Sequence, residues 1–282
     1  MGGAYMPNHL FYATTPRAAS GATLVAVVFW IFATAVGRAD DPPRKGYDSG
    51  FSNITKIAGE LHAALEPKKQ QAVQPGIILL ETVQVPCVSP VEIQKEGHVL
   101  RTVQFSTGAI HFINSVSHAK ALSQDDSNVI KAYAARLVSS ALPPAVADGM
   151  SPEKAWAFDV MNIQIGQFNQ MAGALVAIDY AHHYLGHYKK YAGQLSPDAT
   201  GTVPPISEFV TEKEWREAVL KGAKNALDCG LSVDGLKTLI ECMEAMPSRP
   251  GWCAYFVPAK ANLSKMSKDL QRLENDFFLV GK

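Results

Sequence analysis

A long helical pattern, from residue 151 to about residue 192, constrains this chain more than any other feature of its 282 residues. The pattern opens with Ser-Pro-Glu at 151–153, where a capping serine, a proline at the first helical position and an early carboxylate are typical of a helix start. Gly166 and Gly173 are candidate bends inside it. Because helices in globular proteins average about 11–12 residues, a helix of this length is predicted to be the central element of the fold.

Shorter patterns predict the elements that surround this helix. A run rich in branched aliphatic residues at 76–83 and an alternating run at 99–106 predict two strands. Thr-Gly at 107–108 marks the predicted end of the second strand. Apolar spacing, caps and stops predict further helices at 51–65, 109–122, 128–142, 211–230, 232–246 and 262–276. The expected fold class is therefore mainly α with a small β-sheet (α+β).

The first 39 residues predict an export signal. Residues 22–36 form an apolar run of 15 residues, which is short for a membrane span and typical of a signal-peptide core. Small residues occupy the −3 and −1 positions of a cut after Ala39. The alternative is an uncleaved signal anchor, because Trp30 and Phe32 make the core bulky. Either way we expect an exported chain, periplasmic or secreted.

The chain is predicted to divide into a signal peptide (1–39), an N-terminal helical or linker segment (40–74) and a helical domain with a small sheet (75–282). From residue 40 onward, the chain has 24 cationic and 26 anionic side chains. This balance provides no electrostatic attraction to nucleic acid. Nothing after the signal peptide is apolar for long enough to predict a membrane span. The expected partner is therefore a protein or peptide, whose identity the sequence leaves unknown.

Four cysteines lie after the predicted signal peptide: Cys87, Cys229, Cys242 and Cys253. In an exported chain they can form two disulfides, with three possible connectivities. Cys229 and Cys242 are close in sequence and are the first candidate pair. The alternative is that all four are small buried thiols. None has Cys-x-x-Cys spacing, which argues against a thiolate zinc site or a thioredoxin-type redox centre.

A histidine cluster near the end of the long helix is the candidate functional site. Three of the eight histidines fall at 182–187. In a continuous helix His183 and His187 share a face about one turn apart, and His-x-x-x-His is the spacing that zinc hydrolases use. Those enzymes place a glutamate general base directly after the first histidine, where this chain has Tyr184. The alternative is that the histidines pack structurally among the neighbouring tyrosines.

A metal site needs a third protein ligand besides the two imidazoles. The predicted 211–230 helix offers Glu214 and Glu217, which are three residues apart and can share a face. The alternative is that these glutamates form a solvated charged face. Asp179, four residues before His183, is placed to accept a hydrogen bond from a ligand imidazole or to lie at the surface.

Three segments resemble gluzincin metallopeptidases, the closest type being the prenyl-protein protease and its periplasmic bacterial relatives. Ala-Leu-Val-Ala-Ile-Asp-Tyr-Ala-His-His-Tyr-Leu-Gly-His-Tyr (174–188) resembles their active-site helix, in which His-Glu-x-Gly-His follows an apolar stretch. Val-Gln-Phe-Ser-Thr-Gly-Ala-Ile (103–110) is similar to the strand and glycine turn before that helix. Glu-Trp-Arg-Glu-Ala (214–218) resembles the segment that supplies the glutamate ligand. The likeness covers about residues 75–245.

The resemblance implies a zincin-like domain in which His183, His187 and Glu214, or alternatively Glu217, bind zinc. Tyr184 occupies the general-base position, and a phenol with a pKa near 10 accepts protons poorly at neutral pH. The main prediction is thus an exported, zincin-like homologue with altered or lost peptidase activity. The alternatives are an active zinc hydrolase that uses another base, such as His182 or a downstream carboxylate, and a non-enzymatic, disulfide-stapled helical binding protein.

Overall fold

The computed structural model describes residues 44–95, 97–124, 128–139 and 151–280. The predicted signal peptide, its cleavage site and the end of the predicted 128–142 helix lie outside these residues. Within the described ranges, no helix combines the length and the apolar character needed to cross a membrane.

The described chain is mainly helical with one small sheet, which confirms the predicted α+β class. The strands are β1 (Ile77–Leu80), β2 (Val88–Lys95) and β3 (His98–Ser106). The helices are α1 (Arg44–Ala63), α2 (Pro67–Gln70), α3 (Thr107–Leu122), α4 (Asn128–Ser139), α5 (Pro152–Ala155), α6 (Phe158–Tyr184), α7 (His187–Tyr191), α8 (Glu212–Asp228), α9 (Asp234–Ala245) and α10 (Leu263–Val280).

The sheet has the order β1-β3-β2, with β1 parallel and β2 antiparallel to β3. Strand β2 is absent from the sequence-based prediction because Pro90 interrupts its pattern. A proline lacks the backbone N–H needed for a complete ladder, so within sheets it is confined largely to edge strands. In the observed order β2 is such an edge strand, and Pro90 pairs with Val103 there.

Hydrogen bonds and a close backbone contact fix the junction between β3 and α3. Ser106 caps α3, since its Oγ accepts hydrogen bonds from Ala109 N and Cys87 N, both at 2.9 Å. A Cβ added to Gly108 would lie 1.9 Å from Gln84 O, so only glycine fits beneath that loop. The predicted strand and helix are confirmed in this region, whereas Thr107 and Gly108 belong to the first turn of the helix and not to a separate glycine turn.

Helix α6 is the central element, and α1, α3, α8 and α9 all pack against it. Two glycines let neighbouring helices approach its backbone closely. A Cβ on Gly222 of α8 would lie 2.6 Å from Ile178 N, and one on Gly235 of α9 would lie 2.5 Å from Met171 N. From Met171 to His183 every residue of α6 is buried, as expected for a helix surrounded on all sides.

The long helix predicted over 151–192 is interrupted twice, so its continuity was predicted wrongly. One break separates α5 from α6, and the other lies between Tyr184 and α7, where Gly186 adopts a φ of 79°. A left-handed residue ends a helix because the following N–H groups turn away from the axis. Neither Gly166 nor Gly173 interrupts α6. Gly173 instead makes room for Leu231, whose Cδ1 lies 2.5 Å from the position of an added Cβ.

The segment before the sheet contributes to the same core as the rest of the described chain. Ile54, Ala58 and Leu61 of α1 are fully buried. Tyr180 of α6 reaches α1 and donates a hydrogen bond to Ala58 O at 3.4 Å. Helix α1 is thus packed against the central helix.

All four cysteines are free thiols in this structure, so the predicted disulfides, including Cys229–Cys242, are not formed. Cys229 follows the last turn of α8 and is half-buried, whereas Cys242 belongs to the buried face of α9. Burial raises the pKa of the Cys87 thiol to about 11 and that of Cys253 to about 12. These thiols match the alternative of small buried side chains.

Candidate functional site

The break after Tyr184 changes the geometry of the histidine cluster. The N–H groups of Leu185 and Gly186 still bond back to Ala181 O and His183 O, and α7 then starts at His187. His183 and His187 therefore do not stand one above the other on a single helix face, because the chain turns between them. The sequence-based prediction of a shared face is corrected by this turn.

The two rings that meet are those of His182 and His187. Their Nδ1 atoms are 3.2 Å apart and their ring centroids 5.2 Å apart. Exposure is only 1% for His182 and 6% for His187. A hydrogen bond between two Nδ1 atoms requires one ring to donate an N–H and the other to accept with its lone pair.

The surroundings of this histidine pair favour the neutral form of both rings. Burial and, after it, the proximity of His187 and His183 lower the pKa of His182 to about 3, although the Glu214 carboxylate opposes this shift. Burial also lowers the pKa of His187, against the carboxylates of Glu214 and Glu217. A neutral imidazole has a free nitrogen lone pair, and this neutral form of the ring is the one that binds metal ions.

His183 points elsewhere and links α6 to the sheet. Its Nε2 donates a hydrogen bond to Thr102 O of β3 at 2.9 Å, because a carbonyl oxygen can only accept. The ring packs at 4.8 Å from the ring of Tyr188, whose hydroxyl accepts a hydrogen bond from Glu92 N. Burial lowers the pKa of His183 to about 4. This residue therefore has a structural role in the observed geometry.

Two polar atoms of α6 near this site have no hydrogen-bond partner. They are Nδ1 of His183 and Oδ2 of Asp179. Asp179 is 6% exposed, so the surface alternative considered for it is wrong. Burial raises the pKa of its carboxyl well above the usual range. The Asp179 carboxyl is therefore harder to ionise than an exposed one.

The Glu214 carboxylate forms its hydrogen bonds with residues other than the histidines. Its carboxylate accepts hydrogen bonds from Lys190 Nζ at 2.7 Å and Tyr191 OH at 3.0 Å. It also completes the predicted capping box of α8 by accepting hydrogen bonds from N and Oγ1 of Thr211. Burial raises the pKa of Glu214, but these hydrogen bonds outweigh burial and bring the pKa down to about 2. Glu217, the alternative ligand, is exposed.

The described residues contain no group of three or more His, Cys, Asp and Glu side chains arranged to hold a metal ion. The predicted donor set does not fit zinc as it stands. His183 uses its Nε2 on the sheet, His187 faces His182, and both oxygens of Glu214 are engaged. The structure thus brings together His182 and His187 and places His183 apart.

Tyr184, at the predicted general-base position, has the wrong acid–base properties for that role. Burial raises the pKa of its phenol, and the Glu66 carboxylate raises it further. The Nζ of Lys69 lies 5.5 Å from the centre of its ring. A phenol that is harder to ionise than usual cannot accept a proton from water at neutral pH.

A surface cavity of about 580 Å³ is found away from the histidines. It lies between the end of α9 and the start of α10, and is lined by Met243, Arg249, Asn262 and Leu263 among others. Its lining includes none of the histidines, Glu214 or Tyr184.

Searches of protein-family models, curated proteins and solved structures find no match to this chain. The resemblance to gluzincin metallopeptidases is therefore neither supported nor refuted by known relatives. The partners of the site residues (Thr102, Lys190 and Tyr191) were missed in the sequence analysis. Helical spacing carries no signal for the Thr102 contact, which joins residues 81 positions apart.

Proposed function

We propose that this chain is an exported, zincin-like protein that has lost peptidase activity. The state of Glu214 supports this most directly. In a working site of this class the carboxylate would bind the metal, whereas here Lys190 and Tyr191 hold its two oxygens. Moving it to a metal would break both hydrogen bonds and leave the Lys190 ammonium without its counter-charge.

The second support is that neither Tyr184 nor Asp179 is suited to act as the catalytic base. Tyr184 stands at the position that the resemblance assigns to the catalytic glutamate, and burial makes its phenol harder to ionise. Asp179 is the nearest carboxyl along α6, and burial raises its pKa. The raised pKa disfavours the carboxylate form, which is the form that removes a proton from water.

We propose that zinc is still bound, but by His182 and His187 instead of His183 and His187. Two nitrogen ligands on one tetrahedral zinc ion lie about 3.3 Å apart, given Zn–N distances of about 2.0–2.1 Å. The Nδ1 atoms of His182 and His187 are 3.2 Å apart. This pair supplies two of the three or four ligands that zinc normally takes from protein, so we expect weak binding.

The test combines zinc binding with a peptidase assay. The purified protein is titrated with zinc and compared with the His182→Ala, His187→Ala and His183→Ala variants, with the exposed His98→Ala as the matched control. We expect zinc binding to be lost in the first two variants and retained in the last two. Cleavage of any peptide in a broad panel that is abolished by a chelator would contradict the loss of activity.

A non-enzymatic helical protein that binds another protein or peptide is the second candidate. The observation that favours it is the structural use of the histidines, since His183 joins α6 to β3 and His182 bonds to His187. The free cysteines remove the disulfides from this alternative. It predicts no zinc binding by any form of the protein, together with reduced stability of the His182→Ala and His183→Ala variants.

A further inference from the structure

Three sulfur-bearing side chains come together at the end of α9. The thiol of Cys253 donates a hydrogen bond to the thioether of Met246, with 3.8 Å between Sγ and Sδ. Met246 directly follows α9, and Cys242 lies one helical turn before it, so the two residues project from the same side of the helix end. Cys253, Met246 and Cys242 are 2%, 7% and 0% exposed. We call these three residues the sulfur cluster.

The two thiols of the cluster are neighbours in space. Burial raises the pKa of Cys242, and the Cys253 thiol and the Glu241 carboxylate raise it further. A neighbouring acidic group has this effect on a pKa when the two groups are close to each other. The cluster therefore combines two thiols and one thioether, contributed by the last turn of α9 and the short helical segment Gly251–Tyr255.

The spacing and chemistry of the sulfur cluster suit a soft metal ion. Metal–sulfur bonds of about 2.3 Å place two sulfur ligands of one ion about 3.8–4.0 Å apart, and Cys253 Sγ and Met246 Sδ are 3.8 Å apart. Thiolates and thioethers together favour Cu(I), whereas zinc is bound by Cys, His, Asp and Glu. Because one of its ligands is a thioether, this cluster is not one of the His, Cys, Asp and Glu groups sought above.

The surface cavity of about 580 Å³ beside α9 provides a route to the cluster. Met246 is one of the residues that line this cavity, and its sulfur contacts Cys253. Met243 also lines the cavity and adds a second thioether near its wall. A metal ion that enters the cavity therefore reaches Met246 first, and the thiol of Cys253 directly behind it.

A fixed cation lies beside the cluster. Burial raises the pKa of Cys253 to about 12, and the Arg249 guanidinium opposes this shift. Arg249 is held at the cavity because it donates hydrogen bonds to Pro258 O at 3.2 Å and Ala259 O at 2.8 Å. A positive charge next to a thiol favours the thiolate, which is the form that binds a metal. A Cu(I) ion with two thiolates has a net charge of −1, which the Arg249 charge offsets.

We propose that the sulfur cluster binds one Cu(I) ion, with the thiolates of Cys242 and Cys253 and the thioether of Met246 as ligands. The ion enters as Cu(I), so no electron is transferred, and the two thiols release their protons to solvent as the copper–sulfur bonds form. This inference does not rest on zinc binding, on the loss of peptidase activity or on export. Its failure is therefore separate from failure of the zinc assay.

The experiment titrates the full, reduced chain with Cu(I) held by the coloured chelator bicinchoninate, in the absence of oxygen. We expect the wild type to withdraw one copper ion per chain. Uptake should be lost in Cys242→Ala and in Cys253→Ala, and weakened in Met246→Leu, which nearly conserves side-chain volume. The matched controls are Cys87→Ala and Met171→Leu, because these sulfur atoms are equally buried elsewhere. Both controls should take up copper like the wild type.

Copper-loaded wild type gives a second measurement that does not depend on the folding of a variant. X-ray absorption should show only sulfur ligands, at about 2.3 Å from copper, and thermal unfolding of every variant checks its fold. Failure to withdraw copper from the chelator, nitrogen ligands around the copper, or an equal loss of uptake in Cys87→Ala would overturn the inference. Loss of uptake in His182→Ala would also overturn it and would assign the copper to the histidine pair.

Discussion

The two halves of α6 differ in what surrounds them, although one continuous helix forms both. The half from Met171 to His183 is enclosed by neighbouring helices and the sheet, and it buries even Asp179 and two histidines. The half that begins at Phe158 leaves large apolar side chains in contact with solvent. Burial in this helix therefore follows the packing of neighbours rather than the polarity of each residue.

The comparison explains the chemistry of the histidine cluster. In the enclosed half, burial lowers the pKa of the imidazoles and raises that of the carboxyl, since a buried charge without a partner is costly. A buried polar group is stabilised by a partner inside the protein, as His183 Nε2 is by Thr102 O, whereas Oδ2 of Asp179 has no such partner. In the exposed half the apolar side chains have no partner among the described residues that would remove them from water.

The largest expected difference between the halves comes from a methionine pair. Met171→Ala in the enclosed half leaves a cavity, because Met171 is fully buried, and it should lower the free energy of unfolding by about 3 kcal/mol. Met161→Ala, the matched control in the exposed half, should change it by less than about 0.5 kcal/mol. Chemical denaturation measures both, and equal costs would show that the halves are enclosed alike.

A glycine pair gives the next largest effect. Gly222→Ala puts a Cβ within 2.6 Å of the α6 backbone, and the overpacking should cost about 2 kcal/mol. Gly166→Ala meets nothing within 4 Å and should stabilise the helix by up to about 1 kcal/mol, because glycine is a poor helix former. Thermal unfolding of both variants checks the signs. If Gly222→Ala left the stability unchanged, α8 would have to be able to move away from α6.

The smallest expected effect is a dependence of stability on pH. The pKa of His182 is about 3 in the folded protein and about 6.5 when unfolded. Because the folded value is the lower one, the neutral ring contributes full stability above the unfolded pKa. This contribution is lost as the pH falls from about 6.5 toward 3. Between roughly pH 7.5 and 5.5 the loss is about 1.4 kcal/mol.

The measurement for this prediction compares wild type with His182→Asn by denaturation at each pH. The variant removes the titrating ring and should lose less stability on acidification by about that amount. The comparison cancels the contribution of Asp179, whose raised pKa gives the opposite trend. Parallel pH curves for the two proteins would contradict the burial of a neutral His182.

Much of the fold could be predicted because its signals are local. The capping box at Thr211 and the change from strand to helix near Thr107 were predicted from residues within a few positions of one another, and both are present. Strand β2 was not predicted because a proline such as Pro90 argues against a strand unless the strand lies at the edge of a sheet. Whether a strand lies at the edge is known only once the sheet is assembled. The break at Gly186 was missed because glycine is compatible with both continuation and a left-handed turn.

The helical character of the chain, its helix starts and the clustering of three histidines near the end of the central helix can all be read from local sequence patterns. Which rings meet, the hydrogen bonds of Glu214 to Lys190 and Tyr191, and the four unpaired thiols depend on how the elements pack. Caps and turns depend on neighbours in the chain, whereas the partner of a buried polar group depends on which elements enclose it.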